Sequence, residues 1–481
     1  MSTRAGQRPR GTSARGAPAV VGIAGLGYMG LATALGFAHH GSHVIGYDVR
    51  EELRTSLAAG RSEIHEPGLA ELLRKEVDRG RFRVVDSWSE LAHGANILFL
   101  CLPTPQGAQG RIDLGPLTQG IGQLGRALRE VRGRRLIVIK SSVIAGTTEH
   151  FVRPLLLKTV GPSGPAIGLA SNPEFLAEGS MVADVLHPER IVIGVTQARD
   201  RRDLRRLYAN FGAPLLTLTP TGAELVKYAS NAFLAAKVTL ANEFACIAER
   251  VGVDVDSVLG AVGRDSRIGT KFLRAGPGFG GSCFDKDLKA VTGQARGMGL
   301  RLAMLEAVVR SNDAQAAHAY ALVRESMGTA RGRRIALLGL SFKTGTDDVR
   351  GSRALPIARA ALADGASVRV HDPVALANFR TQWAALSDSP TGSIRFCDSP
   401  EEALRGADAA ILHTPWPEYQ SFPARWTGMM RSPLVVDLRR ALAVRERHRS
   451  DFVWVGLGTS RTEPQTEREI GILAGGNGHR P

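Results

Sequence analysis

One cysteine is delivered by the glycine-rich loop Gly276-Pro277-Gly278-Phe279-Gly280-Gly281-Ser282-Cys283-Phe284-Asp285-Lys286-Asp287, beside a lysine and two carboxylates. Glycines let a backbone turn tightly and approach a ligand closely, and a thiol next to ammonium and carboxylate groups can act as a nucleophile. The loop predicts a covalent catalytic site at Cys283. Lys227 and Asn231 stand four apart in a long proline-free stretch, so a helix places them on one face, one turn apart. An ammonium and an amide aimed at one oxygen would stabilise a developing alkoxide or oxyanion. A solvated helical face is the plainer reading of the same spacing.

A second group of residues lies far upstream. The apolar run Val20 to Ala24 flows into Gly25-Leu26-Gly27-Tyr28-Met29-Gly30, and Leu31 to His39 is apolar enough for a packed helix. Glycines so placed suit a tight turn, approach of a pyrophosphate and close helix–strand packing, with the phosphates on the helix N-terminus. Asp48 ends the next apolar run, where a carboxylate would accept the ribose hydroxyls of NAD and repel the extra phosphate of NADP. Arg50, two residues on, weakens that preference slightly. The expected cofactor is NAD.

The elements needed to position these groups follow from hydrophobic patterning. Leu98 to Leu102 runs into Pro103-Thr104-Pro105, Leu136 to Ile139 into Lys140-Ser141-Ser142, and Ile191 to Ile193 into Gly194. Continuous Val/Ile/Leu runs separated by helices predict a parallel sheet covered on both faces, with the strand ends lining the cofactor crevice. From Gly222 to Arg250 the pattern is one long helix, and helical stretches continue to about Ser326. Strand patterns then return at Arg334–Gly339, Ser367–Asp372, Ala409–His413 and Leu434–Asp437, repeating the order of the first half without its full glycine fingerprint. The expected fold is α/β: a Rossmann-type NAD-binding domain over 19–212, a central helical domain over 213–326, and a Rossmann-like domain over 327–457. Residues 1–18 and 458–481 read as tails.

Composition excludes several classes. In 481 residues no apolar stretch approaches the roughly 20 needed to span a bilayer, and the N-terminal residues lack a signal-peptide core. Four cysteines without paired spacing suggest neither a disulfide framework nor a zinc site, so no metal and a reducing, cytoplasmic setting are expected. Cys101, Cys246 and Cys397 sit in apolar contexts and read as small packing residues. The net charge of +15 is nearly all arginine, with only nine lysines, and no basic helix is interleaved with aromatics. Nucleic-acid binding is therefore not expected.

Across residues 19 to 445 the chain resembles the UDP-glucose/GDP-mannose dehydrogenase family. The resemblance rests on Gly25 to Gly30, Lys140-Ser141-Ser142, Asn172 to Gly179, Glu224 to Phe233, the cysteine loop and Gly339 to Lys343. It implies oxidation of a primary alcohol of a nucleotide sugar to a carboxylate, with two NAD consumed, in a homodimer or higher homo-oligomer. The run Lys227 to Phe233 and the loop Phe279 to Cys283 look like the glucose branch, so UDP-glucose is the expected substrate. UDP-N-acetylhexosamine or GDP-mannose is the alternative, and an inactive nucleotide-binding protein the more distant one.

The resemblance also implies roles. Asp287 matches an aspartate that orders water with Lys227, Glu174 a base for thioester hydrolysis, and Ser142 stands where a threonine that holds the water is common. Pro103, Thr104, Glu178, Lys286 and Arg350 join Gly25, Gly27, Tyr28, Met29, Gly30, Asp48 and Arg50 as cofactor contacts. Phe175, Leu176, Phe272, Leu273, Phe279, Gly280, Phe342 and Lys343 join Lys227 and Asn231 as substrate contacts, and Arg267 matches an arginine that reaches substrate across a dimer interface. Phe272 and Leu273 equally suit a core. Three positions depart from the family pattern. Asp285 replaces the usual proline and opposes thiolate formation at Cys283. Ile144-Ala145 replaces a common Pro-Val pair, and Leu438 replaces a glycine before Arg439, which weighs against Arg439 as a substrate contact.

Overall fold

The computed structural model describes residues 20–107, 110–386 and 394–459. The expected N-terminal tail, and the C-terminal tail beyond Thr459, lie outside the described residues. Gly458, the first residue of that expected tail, is held instead: its amide donates to Glu249 Oε1 at 2.8 Å and its carbonyl accepts from the Val255 amide at 3.0 Å.

The apolar runs form strands, and alternate side chains feed opposite faces. In the first unit β1 (Val20–Ala24), β2 (His43–Tyr47), β3 (Phe82–Val84), β4 (Ile97–Leu100), β5 (Arg135–Ile139), β6 (Ile167–Ser171), β7 (Ile191–Val195) and β8 (Leu215–Leu218) build one sheet, in the order β3-β2-β1-β4-β5-β6-β7-β8. Val21, Ile23, Phe99 and Val138 enter one core, while Ala24, Leu98, Leu100, Ile137 and Ile139 enter the other. That split is what a sheet covered on both faces requires. All neighbours pair parallel except β6 and β7, which are antiparallel with Ala170 opposite Val195. That one pair interrupts the expected parallel sheet, because an apolar run buried on both faces does not encode strand direction.

The second unit repeats the order. Strands β9 (Arg334–Leu338), β10 (Ser367–His371), β11 (Ile394–Phe396), β12 (Ala409–Leu412), β13 (Leu434–Asp437) and β14 (Val453–Gly456) are arranged β11-β10-β9-β12-β13-β14, all parallel. Counted within each sheet, this is the same 3-2-1-4-5-6 order as the first six strands of the first unit, the doubly wound order that opens a crevice at the switch point.

The central helices pack on the second sheet. Ala241, Ala245 and Ala248 of helix Pro220–Val251 and Ala319, Tyr320 and Val323 of helix Ala303–Met327 share one core with Ile335, Leu337 and Val436 of the second sheet. Small alanine side chains let the helices approach closely enough to join that core. The chain accordingly divides into two compact units, residues 20–104 with 114–225, and 105–113 with the residues from 226 onward.

Candidate active site

In the first unit the dinucleotide fingerprint is built as its spacing predicts. Gly25 ends β1 with φ +88°, and a Cβ there would lie 2.5 Å from the Cys101 carbonyl oxygen at the end of β4. A Cβ on Gly30 would lie 1.7 Å from the Gly25 carbonyl oxygen, so only glycine permits this helix–strand contact. A Cβ on Gly27 would point into open space, and helix Tyr28–His39 begins without a side-chain cap. Its N-terminal amides therefore face the position a pyrophosphate would take. Asp48 ends the turn after β2 and is fixed by the amides of Leu26 (2.8 Å, to Oδ2) and Arg50 (3.0 Å, to Oδ1). The Arg50 guanidinium lies 2.9 Å from Glu63 and 3.9 Å from Asp48. It is thus already engaged by carboxylates, which removes much of the reason to expect it to meet a phosphate. These residues fit a dinucleotide with free ribose hydroxyls.

The other first-unit candidates lie on loops that follow strands. Thr104 donates its hydroxyl to the Ser142 carbonyl at 2.9 Å, joining the segments after β4 and β5. Pro103 is exposed, whereas Ser142, Tyr28 and Met29 are half-buried. Glu174, after β6, is buried and accepts from the Leu176 amide at 2.6 Å. Phe175 is stacked by Arg190 at 4.3 Å, Leu176 packs on the core, and Glu178 is half-buried. Sequence reasoning missed Glu66, whose two oxygens accept from the amides of Gly179 (2.7 Å) and Met181 (2.7 Å) and pin this loop. A carboxylate in the loop preceding a helix carried no sequence signal for that contact.

The second unit holds the candidate nucleophile and three of its expected partners. Cys283 is exposed and occupies the N-cap position of helix Phe284–Gly297. One turn on, Asp287 is 1% exposed and accepts from Asn231 Nδ2 at 2.7 Å and from Lys286 Nζ at 2.7 Å. Lys227 is 4% exposed and Asn231 6%, so the solvated-face reading of this helix pair is excluded. Around them Ala232, Ala235, Ala236, Leu288 and Val308 form a small apolar core that also takes the Phe279 ring. Phe279, expected as a substrate contact, packs edge-on against Phe284 with centroids 5.6 Å apart.

Asp285, which stands in place of the usual proline, does not act alone beside the thiol. Lys289, one turn along the same helix, sits 2.6 Å from its Oδ2, which offsets the opposition to a thiolate. Phe272 is 41% exposed with φ +65°, a backbone that a bulky side chain rarely adopts, so the core reading fails for it; Leu273 is half-buried. Arg267 is 86% exposed at its side chain and pairs with Asp265.

Lys286 and Arg350 line a cavity of about 270 Å³ with Gln106, Gly280, Gly281, Ser282, Asp285 and Arg353. Arg350 also pairs with Asp348 at 2.7 Å. Phe342 lies under Gly281, and Lys343 is 5.6 Å from the Phe342 ring. Arg439 is half-buried and donates to the carbonyls of Gly278, Phe342 and His413, each at 3.3 Å. Its role here is to hold the cysteine loop.

The remaining cysteines are different in kind. Burial pushes the Cys101 thiol up to about 12 against the pull of Lys140, and burial also raises Cys397. Cys246 departs from its apolar expectation: it is partly exposed and lies 3.6 Å from His318 Nε2. In the second sheet, Asp372 stands where Asp48 stands in the first, but its oxygens accept from the amides of Leu340, Ser341, Val374 and Ala375 and from the Trp416 indole. So occupied, it is not placed to recognise a ribose as Asp48 is. Among the described residues no group of His, Cys, Asp or Glu could hold a metal ion, and no helix is long and apolar enough to cross a membrane.

Three sequence profiles match the chain in order. They are the UDP-glucose/GDP-mannose dehydrogenase family NAD binding domain over residues 19–212, central domain over 221–314 and UDP binding domain over 336–444. The UDP-glucose 6-dehydrogenase AglM of Haloferax volcanii is 39% identical over 430 residues, 88% of this chain and 97% of that protein. The UDP-glucose 6-dehydrogenase of Pseudomonas aeruginosa is 37% identical, covering 91% of this chain and 97% of that protein. Among solved structures, a UDP-glucose dehydrogenase from Pyrobaculum islandicum is 39% identical with a TM-score of 0.84, covering 93% of this chain and 100% of that one. A UDP-D-ManNAc dehydrogenase from Pyrococcus horikoshii is 29% identical with a TM-score of 0.78, covering 91% and 99%.

Proposed function

This chain belongs to the UDP-glucose/GDP-mannose dehydrogenase family, and on that premise we propose that it oxidises the C6 hydroxymethyl group of UDP-glucose to a carboxylate through a covalent adduct on Cys283. The observation that carries the reading is the exposed Cys283 thiol one helical turn from the buried Asp287, which is bonded to Asn231 and Lys286. NAD, when bound to the first unit, accepts a hydride at each of the two oxidations.

The chain's own residues do the rest. A first hydride can leave an alcohol carbon directly once its hydroxyl proton is removed, but an aldehyde must first become tetrahedral. The Cys283 thiolate adds to the aldehyde carbon, and the C=O pair becomes an oxyanion that takes up a proton, giving a thiohemiacetal. Lys227 and Asn231 supply an ammonium and an amide for the oxygen that carries the developing charge in each step. Deprotonation of the thiohemiacetal hydroxyl with loss of the second hydride leaves a thioester on Cys283. Water adds to that carbonyl, the C–S bond breaks, and the carboxylate leaves with the thiol restored. The base for this last step is assigned to Glu174 and the water-holding hydroxyl to Ser142, both by family resemblance.

UDP-glucose is favoured over other nucleotide sugars because the 39% and 37% identical relatives bear that name, against 29% for the UDP-D-ManNAc enzyme. Assay of NADH release with UDP-glucose, UDP-N-acetylhexosamines and GDP-mannose tests the choice. Two NADH per UDP-glucose are expected, and turnover confined to another sugar would overturn it.

A homodimer is proposed through helix Pro220–Val251, where Phe233, Leu240, Phe244, Ile247 and Val251 are exposed at helical spacing. Phe244→Asp should convert the dimer to monomer in light scattering; an unchanged mass would exclude this face. A cytoplasmic setting follows from a mechanism that needs a free thiol.

A further inference from the structure

We infer that Asn312 is a positioning residue for the nucleophile, gripping the peptide of Phe279 on both sides so that the cysteine loop is held at a fixed anchor four residues before Cys283. Asn312 lies in helix Ala303–Met327 and is 2% exposed. Its Oδ1 accepts from the Phe279 amide at 2.8 Å, and its Nδ2 donates to the Phe279 carbonyl at 3.2 Å. A side-chain amide so placed imitates a paired strand, and it has no rotamer freedom to give without breaking both bonds.

The same carbonyl accepts from Arg353 Nε at 3.0 Å, and Arg353 lies 3.8 Å from Asp313. One turn along the helix, Gln315 is 6% exposed and donates to the Gly276 carbonyl at 2.8 Å. From helix Pro220–Val251, Asn242 accepts from the Gly276 amide at 2.8 Å. Both ends of the turn Gly276 to Phe279 are therefore fixed by buried amides. The loop runs close enough that a Cβ on Gly278, where φ is +109°, would lie 2.8 Å from Asn312 Oδ1.

This grip bears on chemistry because of what lies between the anchors. Upstream of Cys283 the Phe279 peptide is fixed by Asn312; downstream Asp287 is fixed by Asn231. Between them, the Gly281 amide donates to the Arg350 carbonyl at 2.9 Å and the Ser282 hydroxyl lies 3.6 Å from the Cys283 sulfur. Attack by sulfur needs near-attack geometry within about half an ångström, so a loosened upstream anchor should cost turnover rather than cofactor binding. Asn312 acts through the Phe279 backbone rather than on substrate or sulfur.

The inference rests on Cys283 as the nucleophile, and the test separates the two claims. In the full-length protein, Asn312→Leu removes both bonds at similar volume, and Asn312→Asp keeps only the acceptor. Each is measured for kcat, for KM of NAD, for thermal midpoint, and for the rate of Cys283 alkylation by iodoacetamide at pH 7 without substrate. For Asn312→Leu, kcat should fall by about 10²-fold with KM for NAD unchanged. Its alkylation should slow, since a displaced thiol leaves the helix N-terminus where an anion is favoured. Asn312→Asp should be intermediate in both readouts, and it carries the test if the leucine variant does not fold. Wild-type kcat and alkylation in the variants, or a kcat loss that merely follows the unfolded fraction, would overturn the positioning role. Turnover by Cys283→Ala would instead overturn the nucleophile while leaving the alkylation difference of the Asn312 variants intact.

Discussion

Asn231 Nδ2 donates to Asp287 Oδ2 over 2.7 Å, joining the helix that carries Lys227 to the helix that starts at Cys283. Both residues are buried, and Lys286 Nζ takes the other oxygen of Asp287 at 2.7 Å. Removing either donor would leave a buried carboxylate oxygen without its partner, so the three groups act as one unit. The bond also orients the Asn231 amide, leaving its second N–H to be aimed at a reacting oxygen.

Asp287→Asn keeps the side chain's shape but replaces an acceptor with a donor facing Asn231 or Lys286. We expect kcat to fall by about two orders of magnitude, with a much smaller change in KM for UDP-glucose. Steady-state kinetics on the folded variant checks this, and near wild-type kcat would remove Asp287 from the catalytic group.

NAD should be preferred to NADP by about 10²-fold or more in kcat/KM, because Asp48 would face the 2′-phosphate with a like charge. Asp48 is fixed in place by the Leu26 and Arg50 amides, and Arg50 is drawn to Glu63. Glu63→Gln should therefore raise activity with NADP more than with NAD. Equal kcat/KM for the two cofactors in the unmodified protein would remove the Asp48 assignment.

The Asp285–Lys289 pair should set the pH dependence of Cys283 alkylation. Asp285→Asn removes the anion and should move the profile to lower pH. Lys289→Met leaves the anion uncompensated and should move it to higher pH. The two shifts are expected in opposite directions, and profiles that coincide with the wild type would show that Asp285 does not reach the thiol.

His318 supplies a separate pH effect, on stability. Its hydrogen bond to Cys246 and then its contact with Glu249 raise it from 6.5 to about 10. A group raised on folding stabilises fully below its unfolded value and loses that contribution as pH climbs through the folded one. The thermal midpoint of His318→Gln should therefore fall furthest below wild type at pH 6, with the gap closing between pH 6.5 and about 10. A gap independent of pH would mean that only packing is lost.

Much of this was legible from the chain because strands and fingerprint residues act locally. Gly25, Gly30 and Asp48 meet within one strand–turn–helix and its neighbour, so spacing alone located them, and the Lys227–Asn231 face followed from helical period. The direction of β7 was not legible, since an apolar run reads alike either way. Neither were Asn312, Gln315 and Arg353, whose partners lie 33 to 74 residues away in sequence. Polar residues three apart on an alanine-rich helix were a signal in principle, because buried amides demand partners. The pairing of Asp285 was not legible either, because it depends on helix Phe284–Gly297 starting early enough to bring Lys289 one turn from it.

The most direct test of the covalent account is the stoichiometry and rate of Cys283→Ala beside the wild-type enzyme, with UDP-glucose and NAD. Wild type should release two NADH per sugar acid, and its thiol should be trapped as a thioester when the reaction is quenched early. Alanine cannot form the tetrahedral adduct, so sugar acid formation should collapse by about 10³-fold or more, with folding and NAD binding retained. Sugar acid made by Cys283→Ala near the wild-type rate, with two NADH each, would contradict the account and return Cys283 to a small residue in a glycine-rich turn.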